Sequence, residues 1–194
     1  MPVWGWILIV VLAVIAVVAV AAAIAAARSA RSRTRTEHLQ ERFGPEYERT
    51  VDEAGNRHSA EKELVDREKM RDALDIVALP PAAREKYQQS WLTVQAAFID
   101  DPSNAVGRAD RLVTEVMRER GYPVDDFERR AADISVDHPE VADNYRTAHE
   151  IYRKQQNGAA GTEDQREAFL HYRTLFESLL EGGTGEDDQQ GVGT

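Results

Sequence analysis

The segment Asp133–Pro139 contains a serine, two aspartates and a histidine, which are the residue types of a hydrolytic triad. In a triad, a carboxylate orients a histidine and the histidine takes a proton from a serine nucleophile. Ser135, Asp137 and His138 stand too close together in the chain for this arrangement, and the sequence contains no GxSxG nucleophile elbow. Asp137 with Glu140 instead predicts a capping box at the start of a helix. We therefore expect no catalytic residue here.

The five histidines are not spaced like metal ligands. His149 and His171 lie on different predicted helices and could meet across a bundle. Metal sites in bundles place a glutamate three residues before a histidine, and neither histidine has one. The sequence also lacks cysteine, a Walker loop, GxGxxG, HExxH and an EF-hand loop. No metal or other cofactor is predicted, and a ligand- or metal-binding bundle that uses His149 and neighbouring carboxylates is kept as an alternative.

A strongly charged helix is the best candidate for a partner contact. Nine of the twelve residues in Glu61–Asp72 are charged, and Glu63 stands four residues before Arg67, a spacing that supports an exposed helix. The pattern predicts a helix from a Ser59 cap to about Ile76, which would serve as a stalk by default or as a partner-binding helix. In the second case the candidate contacts are Glu63, Arg67 and Arg71. A second candidate surface is the face around Arg120–Pro139.

The charge of the chain is unevenly distributed. The first acidic residue is Glu37, and from Thr36 onward the chain carries 34 acidic and 20 basic side chains, a net charge of −14. A nucleic-acid-binding body would need a basic face to neutralise phosphates. The composition therefore excludes nucleic acid as a partner of this part of the chain and favours basic protein partners.

Val3–Ala27 is an unbroken apolar segment without a charged residue. As a helix, its 25 residues would extend about 37 Å, enough to cross a hydrocarbon core of roughly 30 Å. A cleaved signal peptide would have a basic start and a shorter apolar stretch, although the alanines at the end of the segment imitate a cleavage site. The sequence predicts an uncleaved single-pass anchor. A row of small residues, Ala19, Ala23 and Ala27, would let two copies pair through this span as a homodimer.

Basic residues flank the apolar segment on its C-terminal side only. They are Arg28, Arg31, Arg33 and Arg35. The positive-inside rule then places the N-terminus outside and the soluble domain in the cytoplasm. We expect this basic arm to contact anionic lipids of the cell membrane, with each arginine contributing about 1 kcal/mol. The alternative is the reverse orientation, with the soluble domain facing the cell envelope.

Beyond residue 36 the apolar residues repeat at helical spacing, without strand alternation. Four buried stripes are predicted: Tyr87, Trp91, Val94 and Phe98; Val106, Ala109, Val113 and Val116; Val141, Tyr145, Ala148 and Tyr152; and Phe169, Tyr172, Phe176 and Leu179. Caps are predicted at Ser59, Asp101, Asp125, Asp137 and Thr162. The fold class is therefore all-α, with a single N-terminal transmembrane helix followed by a small soluble bundle of four to six helices.

The predicted organisation has five parts. They are an anchor at 1–27, a basic juxtamembrane arm and short helix at 28–58, the charged helix at 59–79, the helical bundle at 80–181 and an acidic tail at 182–194. The connector Leu79-Pro80-Pro81 is the clearest internal boundary. The tail has one apolar side chain, Val192, so we expect it to be disordered.

Three stretches of the sequence resemble a family of uncharacterised actinobacterial proteins. They are RFGPEYERTV (Arg42–Val51), WLTVQAAFIDDPSNAV (Trp91–Val106) and RGYPVDDFERRAADISVDHPEV (Arg120–Val141), and the resemblance covers about two thirds of the chain. Members have a short hydrophobic N-terminus before an all-helical body and are often labelled secreted or hypothetical. The resemblance implies that architecture, and it brings no activity, cofactor or partner.

These features together predict a membrane-tethered helical interaction or scaffold protein without catalytic activity. The anchor and basic arm would hold the acidic bundle at the bilayer, where it would bind a protein partner that the sequence does not identify.

Overall fold

The computed structural model describes the backbone of residues 3–181, with the side chains before residue 32 described only in part. The predicted acidic tail at 182–194 lies outside the described residues. The chain divides into two units, Met1–Glu41 and Arg42–Thr194. The predicted parts at 59–79 and 80–181 both fall within the second unit.

The described residues form eight helices and no strand, which confirms the all-α class. The helices are α1 (Val3–Phe43), α2 (Pro45–Ala54), α3 (Arg57–Asp72), α4 (Pro81–Asp100), α5 (Pro102–Arg120), α6 (Phe127–Asp137), α7 (Pro139–Gln156) and α8 (Thr162–Glu181). Five of these helices, α4 to α8, lie within the range 80–181 that was predicted to hold a bundle of four to six, and α2 and α3 precede them.

Among the described residues, none of the helices combines the length and the apolar character needed to cross a membrane. The segment Val3–Ala27 lies within α1, but most of its side chains are not described. The anchor is therefore not supported by the structure and stays a prediction.

The core of the second unit is built by α4, α5, α7 and α8. Helix α5 packs against the other three, and α7 also packs against α8. All four predicted stripes face this core, with Trp91 stacked between Phe169 and Phe176 at ring-centroid distances of 5.1 and 4.7 Å. Fully buried aromatic residues such as Tyr145 and Tyr172 supply large apolar areas, which is the main stabilising contribution in a bundle of this size.

A second layer, formed by α2, α3 and α6, covers one side of this core. Helix α2 pairs with α3 and contacts α7, while α3 also contacts α6, which packs on α7. The charged helix is thus a packed element and not a stalk: Ala60 and Leu64 are fully buried. It ends at Asp72, four residues earlier than predicted. The segment 73–80 that follows is bound to the end of α5 through Val77 and Arg120.

Several helices begin one to three residues away from the predicted caps. Asn56, not Ser59, caps α3, and its side chain accepts a hydrogen bond from the Ser59 backbone N–H at 2.9 Å. Asp126, not Asp125, caps α6. Asp137 does not cap α7, because its carboxylate is occupied by other partners described below. The predicted Asp101 cap of α5 is confirmed.

The connector 73–80 is tied to the end of α5. Arg120 is buried, and its guanidinium donates to the carbonyl oxygens of Val77 at 3.2 Å and of Leu179 at 2.8 Å. The Val77 N–H in turn donates to the Arg120 carbonyl at 2.9 Å. At Gly121 the backbone turns with a φ of 101°, which lets the connector pass in direct contact.

A charged groove between the two layers

A buried carboxylate, Glu46, lies at the junction of α2, α3 and α7. Its side chain is 3% exposed. Arg146 of α7 donates two hydrogen bonds to its two oxygens, both at 2.7 Å, and Arg67 of α3 donates a third at 2.8 Å. The bidentate contact of Arg146 fixes both the position and the plane of the carboxylate. The three helices are therefore held together by one charged cluster.

The two arginines keep Glu46 ionised. Burial alone raises the pKa of a carboxyl group, but the hydrogen bonds and positive charges of Arg146 and Arg67 outweigh burial, so the pKa of Glu46 lies below its ordinary value. One negative charge faces two positive charges at this position, so the cluster retains a positive charge that other carboxylates can meet.

Those further carboxylates line the surface around the cluster. Arg67 also donates to Glu63 at 2.5 Å. Arg49 of α2 donates to Asp143 of α7 at 2.9 Å and to Glu53 at 2.8 Å. The Arg49 pairs form a second set beside the Glu46 cluster, and their acidic members Glu53 and Asp143 are 55% and 76% exposed.

Two adjoining cavities open beside this network. The larger, of about 880 Å³, lies between α3 and α6, and ten of the thirteen residues that line it are charged. Its apolar lining residues are Met70, which is 49% exposed, and the smaller Ala132. The smaller, of about 420 Å³, lies between α6 and α7. Arg49, Glu128 and Arg146 line both cavities, so we treat them as one charged groove.

The two ends of the charged groove differ in charge. The larger cavity is lined by equal numbers of acidic and basic side chains. The smaller one is lined by four basic residues and two acidic ones: Arg49, Arg146, Arg153 and Lys154, with Glu128 and Glu150. The chain from Thr36 onward has a net charge of −14, so this end is a local basic site. Phe127 and His149, stacked at a ring-centroid distance of 3.7 Å, form its apolar wall.

The structure places the three predicted partner contacts in different settings. Glu63 is half-exposed and lines the charged groove, as a contact residue should. Arg67 also lines it, but its side chain is only 12% exposed and is bound by Glu46 and Glu63. Arg71 does not line the groove: it contacts Asp137 at 2.6 Å and joins α3 to α6. Arg71 is thus a packing residue, and Arg120, in the second predicted surface, is buried as well.

The Ser–Asp–His segment does not form a triad. Ser135 is fully buried and donates to the carbonyl oxygen of Ala132. Asp137 accepts a hydrogen bond from the Tyr122 hydroxyl at 2.5 Å and pairs with Arg71. His138 instead meets Ser178 of α8, with 2.7 Å between Ser178 Oγ and His138 Nδ1.

The Ser178–His138 pair lacks the remaining parts of a catalytic site. No carboxylate within the described residues accepts from His138 Nε2, which is buried without a partner. Neither residue lines one of the described cavities. Burial, together with the nearby charge of Arg120, lowers the pKa of His138, so the ring is neutral near pH 7. The pair is best described as a polar contact between α8 and the start of α7.

His149 packs at a helix interface against Phe127, and its Nδ1 lies 3.9 Å from Asp110 Oδ1. Tyr172 donates to the same Asp110 oxygen at 2.9 Å. Among the described residues there is no group of three or more histidine, aspartate or glutamate side chains placed to hold a metal ion. The alternative of a metal site at His149 gains no support from this geometry.

In the basic arm, Arg33 and Arg35 are exposed on α1, and the side chains of Arg28 and Arg31 lie outside the described set. Lipid contact by this arm stays a prediction.

Sequence reasoning missed Glu46 and Arg146, the centre of the charged groove. They are separated by 100 positions, and Glu46 reads as an ordinary first-turn acid of α2. Only the packing of α2 on α7 brings the two side chains together. The available signal was weak: an arginine, Arg146, directly follows the buried Tyr145 and so lies at the edge of a buried stripe.

No protein-family model matches the chain, and neither curated proteins nor solved structures show a significant match. The resemblance to an actinobacterial family stays a prediction.

Proposed function

We propose that this chain is a membrane-tethered helical interaction protein whose second unit binds a protein partner in the charged groove. The observation that carries the binding part is the groove itself, a cavity of about 880 Å³ whose lining is dominated by charged side chains. Two of them, Arg67 and Arg146, are held by the buried Glu46. Complementary charges of this kind give selectivity and speed of encounter more than raw affinity.

The partner that fits is a protein segment that carries both signs of charge. The larger cavity offers Glu63 and Lys62 side by side, and the smaller end offers Arg153 and Lys154. A segment with acidic residues toward the basic end and a basic residue toward Glu63 would find a counter-charge for each. Met70 would supply the apolar contact at the α3 side.

The tether is supported by the sequence. The uncharged segment Val3–Ala27 has the length of a membrane span, and the arginines that follow it favour a cytoplasmic second unit. An envelope-facing second unit is the competing arrangement, and it would expose the same groove to a different set of proteins.

A photo-crosslinking experiment tests the groove. A benzophenone amino acid replaces Met70 inside the groove, and in a matched chain it replaces Leu170, which is 45% exposed and lines none of the described cavities. Irradiation of cells should give a discrete crosslinked protein from position 70 and none from position 170.

Charge exchange then tests the contact chemistry. Lys62→Glu combined with Glu63→Lys keeps the net charge and should abolish the crosslink from position 70, because the order of charges along the groove is reversed. Identical crosslinks from positions 70 and 170, or a crosslink that survives the exchange, would contradict binding in the groove.

A further inference from the structure

One carboxylate that lines the larger cavity of the charged groove has no hydrogen-bond donor. Asp133 of α6 lines this cavity and is only 3% exposed. Its Oδ2 atom is buried and accepts no hydrogen bond from the part of the chain that the structure describes. Arg129 lies beside it, but the 3.9 Å between Arg129 Nε and Asp133 Oδ2 is too long for a hydrogen bond. A buried oxygen in this position is costly unless a donor reaches it.

Glu46 shows how a carboxylate at this junction is stabilised when donors are present. It is equally buried, accepts three hydrogen bonds from two arginines and has a lowered pKa. The pKa of Asp133 is raised instead, mainly by burial and also by the negative charge of Asp137. The positive charges of Arg129 and Arg71 act in the other direction and do not compensate. Of these two buried carboxylates, only Glu46 has its donors within the described chain.

The basic side chains of the cavity are poorly placed to supply Asp133. Three of the five are held by other carboxylates: Arg49, Arg67 and Arg146. The remaining two, Lys62 and Arg129, are exposed. Fixing a long exposed side chain on a buried carboxylate costs conformational entropy. A donor that enters with a ligand would reach Asp133 without breaking a hydrogen bond within the protein.

We infer, building on the proposed function, that Asp133 binds a basic side chain, an ammonium or a guanidinium group, of the protein segment that occupies the charged groove. A cation is favoured over a neutral donor because α3 lines the same cavity with two further carboxylates, Glu63 and Asp66. A charged donor also forms the stronger hydrogen bond with a carboxylate. The volume of about 880 Å³ is sufficient for a long basic side chain.

Asp133 should therefore contribute to binding and not to the stability of the fold. Asp133→Asn keeps the shape of the side chain and removes its charge. The midpoint of urea unfolding should stay the same or increase, because no hydrogen bond is lost and the cost of burying a charge disappears. A decrease in the midpoint would show that Asp133 already serves Arg129 or Arg71 within the protein, and would overturn the inference.

Blocked amino acids test the site without the partner. N-acetyl-arginine amide and N-acetyl-lysine amide carry the two candidate cations, and N-acetyl-citrulline amide resembles the arginine probe in shape but has no charge. The full chain, isotope-labelled at its alanine methyl groups in detergent micelles, reports binding through Ala132, which lines the same cavity. At least one basic probe should shift the Ala132 methyl resonance with saturation, and the citrulline probe should not.

Two matched variants then locate the contact. Asp133→Asn should weaken binding of the basic probe roughly tenfold or more, because a charge-assisted hydrogen bond is lost. Asp66→Asn removes the same charge from the same cavity at a side chain that is 50% exposed, and should weaken binding about threefold or less. Equal losses would mean that the cavity attracts cations through its overall field, which would overturn the assignment to Asp133.

Three other outcomes would also overturn it: an unchanged titration in Asp133→Asn, a response to citrulline as strong as that to arginine, and no response to either basic probe. If position 70 photo-crosslinks to a partner but neither basic probe binds, the groove proposal stands and this inference fails. If a basic probe binds at Asp133 but position 70 gives no crosslink, the cation site stands and the groove proposal fails. With both present, Asp133→Asn should abolish the crosslink, and a crosslink that survives would contradict the inference.

Discussion

At the scale of single residues, Glu46 is a buried carboxylate that two arginines stabilise. Its three hydrogen bonds come from Arg67 and Arg146, which lie on helices of the two different layers. Removing one partner from a buried ion cluster costs more than the cluster contributes, because the remaining charges stay buried without compensation.

Glu46→Gln should therefore lower the free energy of unfolding by about 3–5 kcal/mol. The neutral amide cannot balance the charges of Arg67 and Arg146, which are largely buried, with side chains 12% and 16% exposed. Urea denaturation followed by circular dichroism measures the loss. Glu53→Gln removes an exposed partner of Arg49 and should cost about 0.5 kcal/mol or less, so equal effects of the two variants would contradict the argument.

At the same scale, His138 should make the free energy of unfolding depend on pH, because burial and the charge of Arg120 keep its ring neutral. Because the folded pKa lies below the ordinary value of 6.5, the unfolded chain binds a proton first as the pH falls. The free energy of unfolding should decrease below about pH 6.5, and His138→Gln should remove this part of the decrease. His58→Gln, at an exposed position, is the control. If the free energy of unfolding of His138→Gln decreases with falling pH as steeply as that of the native chain, the assignment to His138 is wrong.

At the scale of elements, the connector 73–80 shows how a non-helical segment is held by the helix ends around it. A methyl group added at Gly121 would lie 2.4 Å from the Asp75 carbonyl oxygen, and the φ of 101° is itself unfavourable for other residues. Gly55 has a comparable φ of 69° but open space around it.

Gly121→Ala should reduce the free energy of unfolding by about 3 kcal/mol or more, because backbone strain and a collision with the connector add together. Gly55→Ala should cost about 1–2 kcal/mol, from strain alone. Thermal unfolding of the two variants side by side separates the terms. Similar costs for both would mean that the connector moves aside without effect on stability.

At the scale of the whole molecule, orientation at the membrane is the property with the largest consequences. Reporters attached to the C-terminus, one active only outside the membrane and one only inside, should give an inside signal because the arginines Arg28, Arg31, Arg33 and Arg35 follow the apolar segment. Replacing these four by glutamine should weaken or invert the preference. An outside signal from the native chain would make an envelope role the leading interpretation.

The parts of this molecule that local pattern controls were predictable. Helical spacing identified Trp91, Tyr145 and Tyr172 as core residues, because a buried stripe on a helix must repeat every three to four positions. Caps were less predictable: Asn56 and Asp126 act where Ser59 and Asp125 were expected, since neighbouring polar residues compete for the same backbone N–H groups.

The sequence by itself determined the all-α class, the buried stripes and the uneven charge, because each depends on residues that are neighbours in the chain or on a helix. Only the tertiary structure decided that the charged helix α3 is packed, that Arg71 binds Asp137, and that Glu46 meets Arg146 over 100 positions. Whether a charged side chain is a surface contact or a buried partner depends on which helix lies opposite, and the local pattern of the sequence does not contain that information.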